Sequence, residues 1–178
     1  MTKDRLILSV RWMVSCDIVL CAFLNRISHP PRIKKLFVIV SGLGDGGFWY
    51  GLMLTLPLFY GSSGMMTSVS MIKVALANLA LYKIIKSLTG RARPCAANAN
   101  ITVGTAPLDQ YSFPSGHTMH AVAFTMVATA HHPELAWPLM PLSCLIAMSR
   151  VILGLHYPTD VIAGAILGGY VASTLLAS

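Results

Sequence analysis

The sequence predicts an all-α integral membrane bundle of five to six transmembrane helices, and three observations carry that prediction. Of 178 residues 55% are hydrophobic and only 11% are charged, against about 25% charged in a soluble domain. Mean hydropathy is +0.67. The apolar residues fall into runs long enough to span a bilayer, which takes roughly 20 residues in a helix. Between those runs, the ionisable side chains concentrate at one set of ends. A single membrane-embedded domain over 1–178 is expected, with residues 1–35 as an N-terminal helix and basic connector and 36–178 as a helical core.

Each element follows in order. Residues 6–25 are apolar but interrupted by Arg11 and Asp17, so the stretch reads equally as a span or as an interfacial amphipathic helix. Residues 26–35, R-I-S-H-P-P-R-I-K-K, form a basic connector. Leu36–Tyr60 reads as one span despite Gly42, Gly44, Asp45, Gly46 and Gly47 within it. Gly-Ser-Ser-Gly at 61–64 is a tight turn. Met65–Leu88 is the next span, and Thr89–Phe113 the longest polar loop. Ser115–Ala130 is a helix, 131–134 a short turn, and Leu135–Leu153 and Val161–Ala177 the last two spans.

Composition also excludes. The net charge of +7 points to anionic head groups or substrates; no basic face rich in aromatics suggests nucleic acid. The four cysteines lack paired spacing, so neither a disulfide framework nor a zinc site is expected. Arg11 and Asp17, and the want of a small-residue cleavage site, argue against a removable signal peptide.

If the spans alternate, the end of 65–88, the long loop, the start of 115–130, the end of 135–153 and the start of 161–177 share one membrane face. The candidate functional residues lie there. Ionisable groups inside a bilayer are functional candidates by default. Ser149–Asp160, S-R-V-I-L-G-L-H-Y-P-T-D, places Arg150, His156 and Asp160 in the seam between two apolar runs. Pro158 suits the first turn of the last helix, and Asp160 is close enough in sequence to accept a hydrogen bond from one nitrogen of His156. Ser112–His120 contains P-S-G-H, where Ser115 can cap a helix whose first amides, at Gly116 and His117, make an anion site. A plain cap beside an interfacial histidine gives the same pattern. Lys86–Pro94 adds Lys86 and Arg93, while Lys83 and Arg91 read as basic side chains reaching the interface.

Together, K-x6-R-P (Lys86, Arg93, Pro94), P-S-G-H (Pro114 to His117) and S-R-x5-H-x3-D (Ser149, Arg150, His156, Asp160) resemble the three-part signature of the type-2 phosphatidic acid phosphatase superfamily. The motifs cover Lys86–Asp160, in order and complete. The resemblance implies a metal-independent phosphatase working through a phosphohistidine, with no cofactor. It implies His156 as nucleophile, Asp160 as its orienting carboxylate, and His117 as general acid and then base. Lys86, Arg93, Ser115, Gly116 and Arg150 would bind the phosphoryl oxygens. Phosphoryl transfer asks mainly for positioning and charge neutralisation, which three cations and a helix N-terminus can supply.

The expected function is hydrolysis of lipid phosphates or diphosphates of the polyprenyl diphosphate, phosphatidylglycerophosphate, phosphatidate or lipid A type. The partners are the lipid substrate and the bilayer, with no nucleic acid and no obligate protein partner. The expected location is a bacterial inner membrane with the site facing the periplasm. The rivals are a vanadate-dependent haloperoxidase-like enzyme and a non-catalytic phospholipid or anion carrier. Two further expectations concern single residues: Asp45 pairs with Lys83 on the adjacent helix, or else the glycines around it leave it at a wet bend, and His120 is a hydrogen-bonded core histidine rather than a metal ligand.

Overall fold

The computed structural model describes residues 3–177, with the side chains of 3–11 and 13 outside the description, so the expected effect of Arg11 lies beyond it. The chain is helical: α1 (Lys3–Asn25), α2 (Pro31–Leu43), α3 (Gly47–Thr89), a short α4 (Pro94–Ala97), α5 (Gly116–His131), α6 (Ala136–Ile152) and α7 (Pro158–Leu176). Three segments are long and apolar enough to cross a membrane: Gly47–Thr89, Pro133–Ile152 and Pro158–Leu176.

The first of these is a hairpin. Gly61 has φ 57 and ψ −130, a backbone state that favours glycine, and it alone reverses the chain between an arm over 47–60 and an arm over 62–89. The Ser68 hydroxyl therefore donates to the carbonyl of Met53 at 2.7 Å. The turn expected over four residues is thus made by one.

The run Leu36–Tyr60 is not a single helix. Its glycines break it: α2 ends at Leu43 and α3 starts at Gly47, with Gly46 at φ 109. Asp45 is lifted out of the apolar run into the turn between them.

Helix α5 is the centre, packed against α3, α6 and α7. Trp49, Met53, Leu56, Met71 and Val74 from α3 meet Met119, Phe124 and Val127 from α5, Ile146 from α6 and Val171 from α7 in one buried cluster. The approach of α5 to α7 is closest. A methyl group on Gly164 would stand 2.5 Å from the carbonyl oxygen of Ser115, and one on Gly168 would stand 2.2 Å from that of Met119. Small residues let helix backbones touch in this way. Leu54, Leu58, Phe59, Leu76, Trp137, Ile162 and Ile166 face outward, as lipid-facing residues do.

The second half of α1 packs along the connection between α6 and α7. Asp17 accepts from the amide of Thr159 at 3.1 Å, and the Asn25 amide donates to the carbonyls of Ile152 and Thr102 at 2.9 and 3.0 Å. Asp17, expected to spoil an apolar span, is instead buried and paired.

Candidate active site

Six of the expected residues, Lys86, Arg93, Gly116, His117, Arg150 and His156, line one cavity of about 310 Å³. Lys86 comes from the end of α3 and Arg93 from the start of the long loop. Gly116 and His117 are the first residues of α5, Arg150 lies in the last turn of α6, and His156 precedes α7. These element ends, expected from alternation to share a face, meet at one end of the bundle. At the opposite end, the rings of Tyr60 and His132 stack with centroids 3.9 Å apart beside the α3 reversal.

The nucleophile candidate is held by the backbone. His156 Nδ1 lies 2.6 Å from the carbonyl oxygen of Ser112, so it donates there and Nε2 keeps its lone pair. Nε2 stands 3.2 Å from Arg93 Nη1. Burial, and then the charges of Arg150, Arg93 and Lys86, hold the imidazole well below its ordinary titration range, so it is neutral.

Asp160 does not make the expected bond. Its Oδ2 is 3.6 Å from His156 Nδ1, too far for a hydrogen bond, and accepts instead from the amide of Tyr157 at 2.8 Å. Its Oδ1 accepts from Arg91 Nη1 at 2.6 Å, while Arg91 Nη2 donates to Asp17 at 2.7 Å. Arg91 is thus no interfacial side chain. It joins the long loop, α1 and α7, and lies over the Tyr157 ring at 4.1 Å.

Ser115 is the residue before α5, but its hydroxyl contacts that of Thr118 at 3.0 Å rather than a helix amide. Its amide donates to the carbonyl of Asp160 at 3.0 Å, which pins the start of α5 to the start of α7. Gly116 and His117 head the helix, where amide groups have no intrahelical acceptor.

The three cations are differently occupied. Lys86 and Arg93 both bind the Asp109 carboxylate, at 2.6 and 2.7 Å. Burial would raise the Asp109 carboxyl, but these two cations outweigh it and hold it below the ordinary carboxylate range. Arg150 donates through Nη1 to the hydroxyl of Ser41 in α2, while its buried Nε has no partner among the described residues.

His117 Nε2 lies 2.5 Å from Asp45 Oδ1. This replaces the expected Asp45–Lys83 pair; Lys83 is exposed, and no ion pair joins it to Asp45 among the described residues. His120 Nδ1 contacts the carbonyl oxygen of Gly116 at 2.9 Å, the hydrogen bond expected of it, but the ring is half-buried and faces the cavity rather than the core. An adjoining apolar groove of about 600 Å³ runs between the α3 arms and α5, walled by Leu54, Ile72, Leu76, Leu79 and Phe124. It shares Asp45, Tyr82 and His120 with the polar cavity.

The PAP2 superfamily profile matches residues 67–178. The chain belongs to the PAP2 superfamily. It is 29% identical over 162 residues to lipid A 1-phosphatase of Rhizobium etli, covering 80% of this chain and 69% of that one. It is 27% identical over 142 residues to undecaprenyl-diphosphatase of Sulfolobus acidocaldarius, covering 79% and 68%. Among solved structures, Aquifex aeolicus LpxE superposes with a TM-score of 0.77 at 25% identity, over 89% of this chain and 93% of that one. The PAP2-type phosphatidylglycerolphosphate phosphatase of Bacillus subtilis superposes at 0.73 and 25% identity, over 93% and 85%. This member of the PAP2 superfamily is an integral membrane phosphatase of lipid phosphates.

The sequence does not reveal the partners of Asp45, Arg91 and Asp17. Each is an ionisable residue in or beside an apolar run, which was signal enough to ask for a partner. The partners, however, come from distant helices.

Proposed function

We propose that the protein hydrolyses lipid phosphate monoesters or diphosphates in two steps through a phosphohistidine. The observation carrying this reading is one cavity that gathers His117 and His156 with Lys86, Arg93 and Arg150 beside an apolar groove. His156 Nε2 attacks the terminal phosphorus, and its bond to the leaving oxygen breaks, the lipid oxygen of a monoester or the bridging oxygen of a diphosphate. His117 gives that oxygen its proton. Water then attacks the phosphohistidine while His117 takes a proton from it, releasing inorganic phosphate and restoring both imidazoles. Lys86, Arg93, Arg150 and the amides of Gly116 and His117 neutralise the equatorial oxygens. Asp109 stands where those oxygens would meet Lys86 and Arg93. Ser115 ties α5 to α7, and Asp160 fixes Arg91 and the Tyr157 turn.

The groove would take the first part of the hydrocarbon chain. Relatives acting on lipid A, undecaprenyl diphosphate and phosphatidylglycerolphosphate mark the substrate range. The two arms of α3, with α5, α6 and α7, would make five crossings, while α1 and α2 lie along the catalytic face of a single domain over 1–178. We place that face on the periplasmic side of a bacterial inner membrane, on the resemblance to the family.

The test is a hydrolysis screen of the purified protein across these lipid phosphates. Phosphate release that persists in EDTA and stops with vanadate is expected. Loss on chelation, restored by magnesium or zinc, overturns the mechanism. A second expectation concerns the empty protein. Because its folded titration lies well below the ordinary 6.5, His156 gives nitrogen-15 signals of a neutral Nδ1–H imidazole at pH 6.5, and protonates only as pH falls well below that. An imidazolium signal at pH 6.5 would refute the neutral nucleophile.

A further inference from the structure

The turn between α2 and α3 contributes to the cavity in two ways that the three motifs do not cover. Ser41, near the end of α2, receives a hydrogen bond from Arg150. Four residues later Asp45 reaches His117, with Oδ1 and Nε2 2.5 Å apart. The turn is shaped for this approach. The amides of Gly44 and Asp45 donate to the carbonyls of Ser41 and Gly42 at 2.9 and 3.0 Å, and Gly46 takes φ 109. A methyl group on Gly44 would stand 2.9 Å from His117 Cδ2, so only glycine lets the turn lie flat against the ring. The Nε2–Cδ2 edge of His117 therefore faces the turn. Nδ1 is on the opposite edge and has no hydrogen-bond partner among the described residues.

We propose that Asp45 is a positioning residue for His117: its carboxylate accepts Nε2–H, so that Nδ1 carries the transferred proton. This rests on the reading of His117 as general acid and base. In the first step the imidazolium gives the Nδ1 proton to the leaving oxygen as its bond to phosphorus breaks, while Nε2–H stays on Asp45. In the second, Nδ1 recovers a proton from the attacking water. An orienting carboxylate fixes the ring and favours its charged form. Here that matters because the other charged neighbours are Arg150 from α6 and Lys86 from α3, with neutral His156 from the α6–α7 connection. Both cations oppose the proton, and Asp45 is the anion set against them. The carboxylate is half exposed, so it serves from the rim of the cavity.

The test uses Asp45→Asn, Asp45→Glu and His117→Ala in the full chain. The lipid phosphate turned over fastest in the screen is assayed with nitrophenyl phosphate alongside. Asp45→Asn is expected to lower kcat on the lipid by about 10- to 100-fold with little change in KM, since part of the general-acid contribution is lost. The alkaline limb of the profile, which requires protonated His117, should move to lower pH by about one unit, because a stabilising anion is gone. Asp45→Glu should recover part of both effects. With nitrophenyl phosphate, whose leaving group needs no proton, Asp45→Asn should retain a nitrophenolate burst, which also counts intact sites. An unchanged kcat and alkaline limb in Asp45→Asn, with His117→Ala slow, overturns the role of Asp45 alone. A rise in KM at constant kcat does the same, since it would make Asp45 a binding group. Normal lipid turnover by His117→Ala overturns the underlying assignment and Asp45 with it.

Discussion

His156→Ala is expected to be inactive on every substrate, whereas His117→Ala should divide substrates by leaving group. On the proposed mechanism no phosphoenzyme forms without Nε2 of His156, however good the leaving group. In the same proposal His117 acts later, on the leaving oxygen. A lipid alkoxide departs poorly unprotonated, and losing a general acid costs about 10²–10⁴-fold in rate. Nitrophenolate departs without a proton. His117→Ala should thus release a burst of nitrophenolate and then stall, because activation of water also depends on His117. Acid-labile, base-stable phosphate should accumulate on the protein during the stall. Accumulation in His156→Ala and not in His117→Ala would reverse the two roles.

Arg150→Lys is expected to lower kcat/KM by at least about 10²-fold, since it removes two charge-assisted hydrogen bonds of about 1.5–3 kcal/mol each. The guanidinium is gripped at Nη1 by Ser41 while its buried Nε–H stays without a partner, so α2 aims the fork. A lysine ammonium is a point charge and cannot hold Ser41 and two phosphoryl oxygens in that geometry. Vanadate inhibition should weaken in parallel, because the same donors hold it. Near-normal turnover and vanadate affinity in Arg150→Lys would show that the oxygens are held elsewhere.

The elements and the cavity were legible in the sequence to different depths. Lys86, Arg93, His117, Arg150 and His156 stood out because a charged or titratable group in an apolar chain needs a reason, and all five line one cavity. The glycines of Leu36–Tyr60 mark its break and allow a bend at Asp45, but the length of the apolar run makes a single span the stronger reading of the sequence. The acceptor for His156 Nδ1 is the backbone carbonyl of Ser112, and a main-chain acceptor has no residue signature. Asp160, four residues from His156, was close enough in sequence, but its oxygens are taken by Arg91 and the Tyr157 amide. Arg91, from the long loop, reaches Asp17 in α1, 74 residues away, a pairing that only the tertiary fold creates.

The glycine contact between α5 and α7 has a bearing on how the enzyme meets different membranes. His117 rides on α5, and His156 sits one residue before the cap of α7. These helices touch through main chain at Gly164 and Gly168 and are joined by the Ser115–Asp160 hydrogen bond. The spacing of the backbone positions that carry the proposed proton donor and nucleophile is therefore set by main-chain contact, which has no rotamers to yield. Stretching or thinning of the surrounding bilayer can tilt this pair as a unit. It would reach the chemistry chiefly through the α3 arms, which wall the groove and carry Lys86, so a change of lipid thickness should register in substrate capture before it registers in bond cleavage.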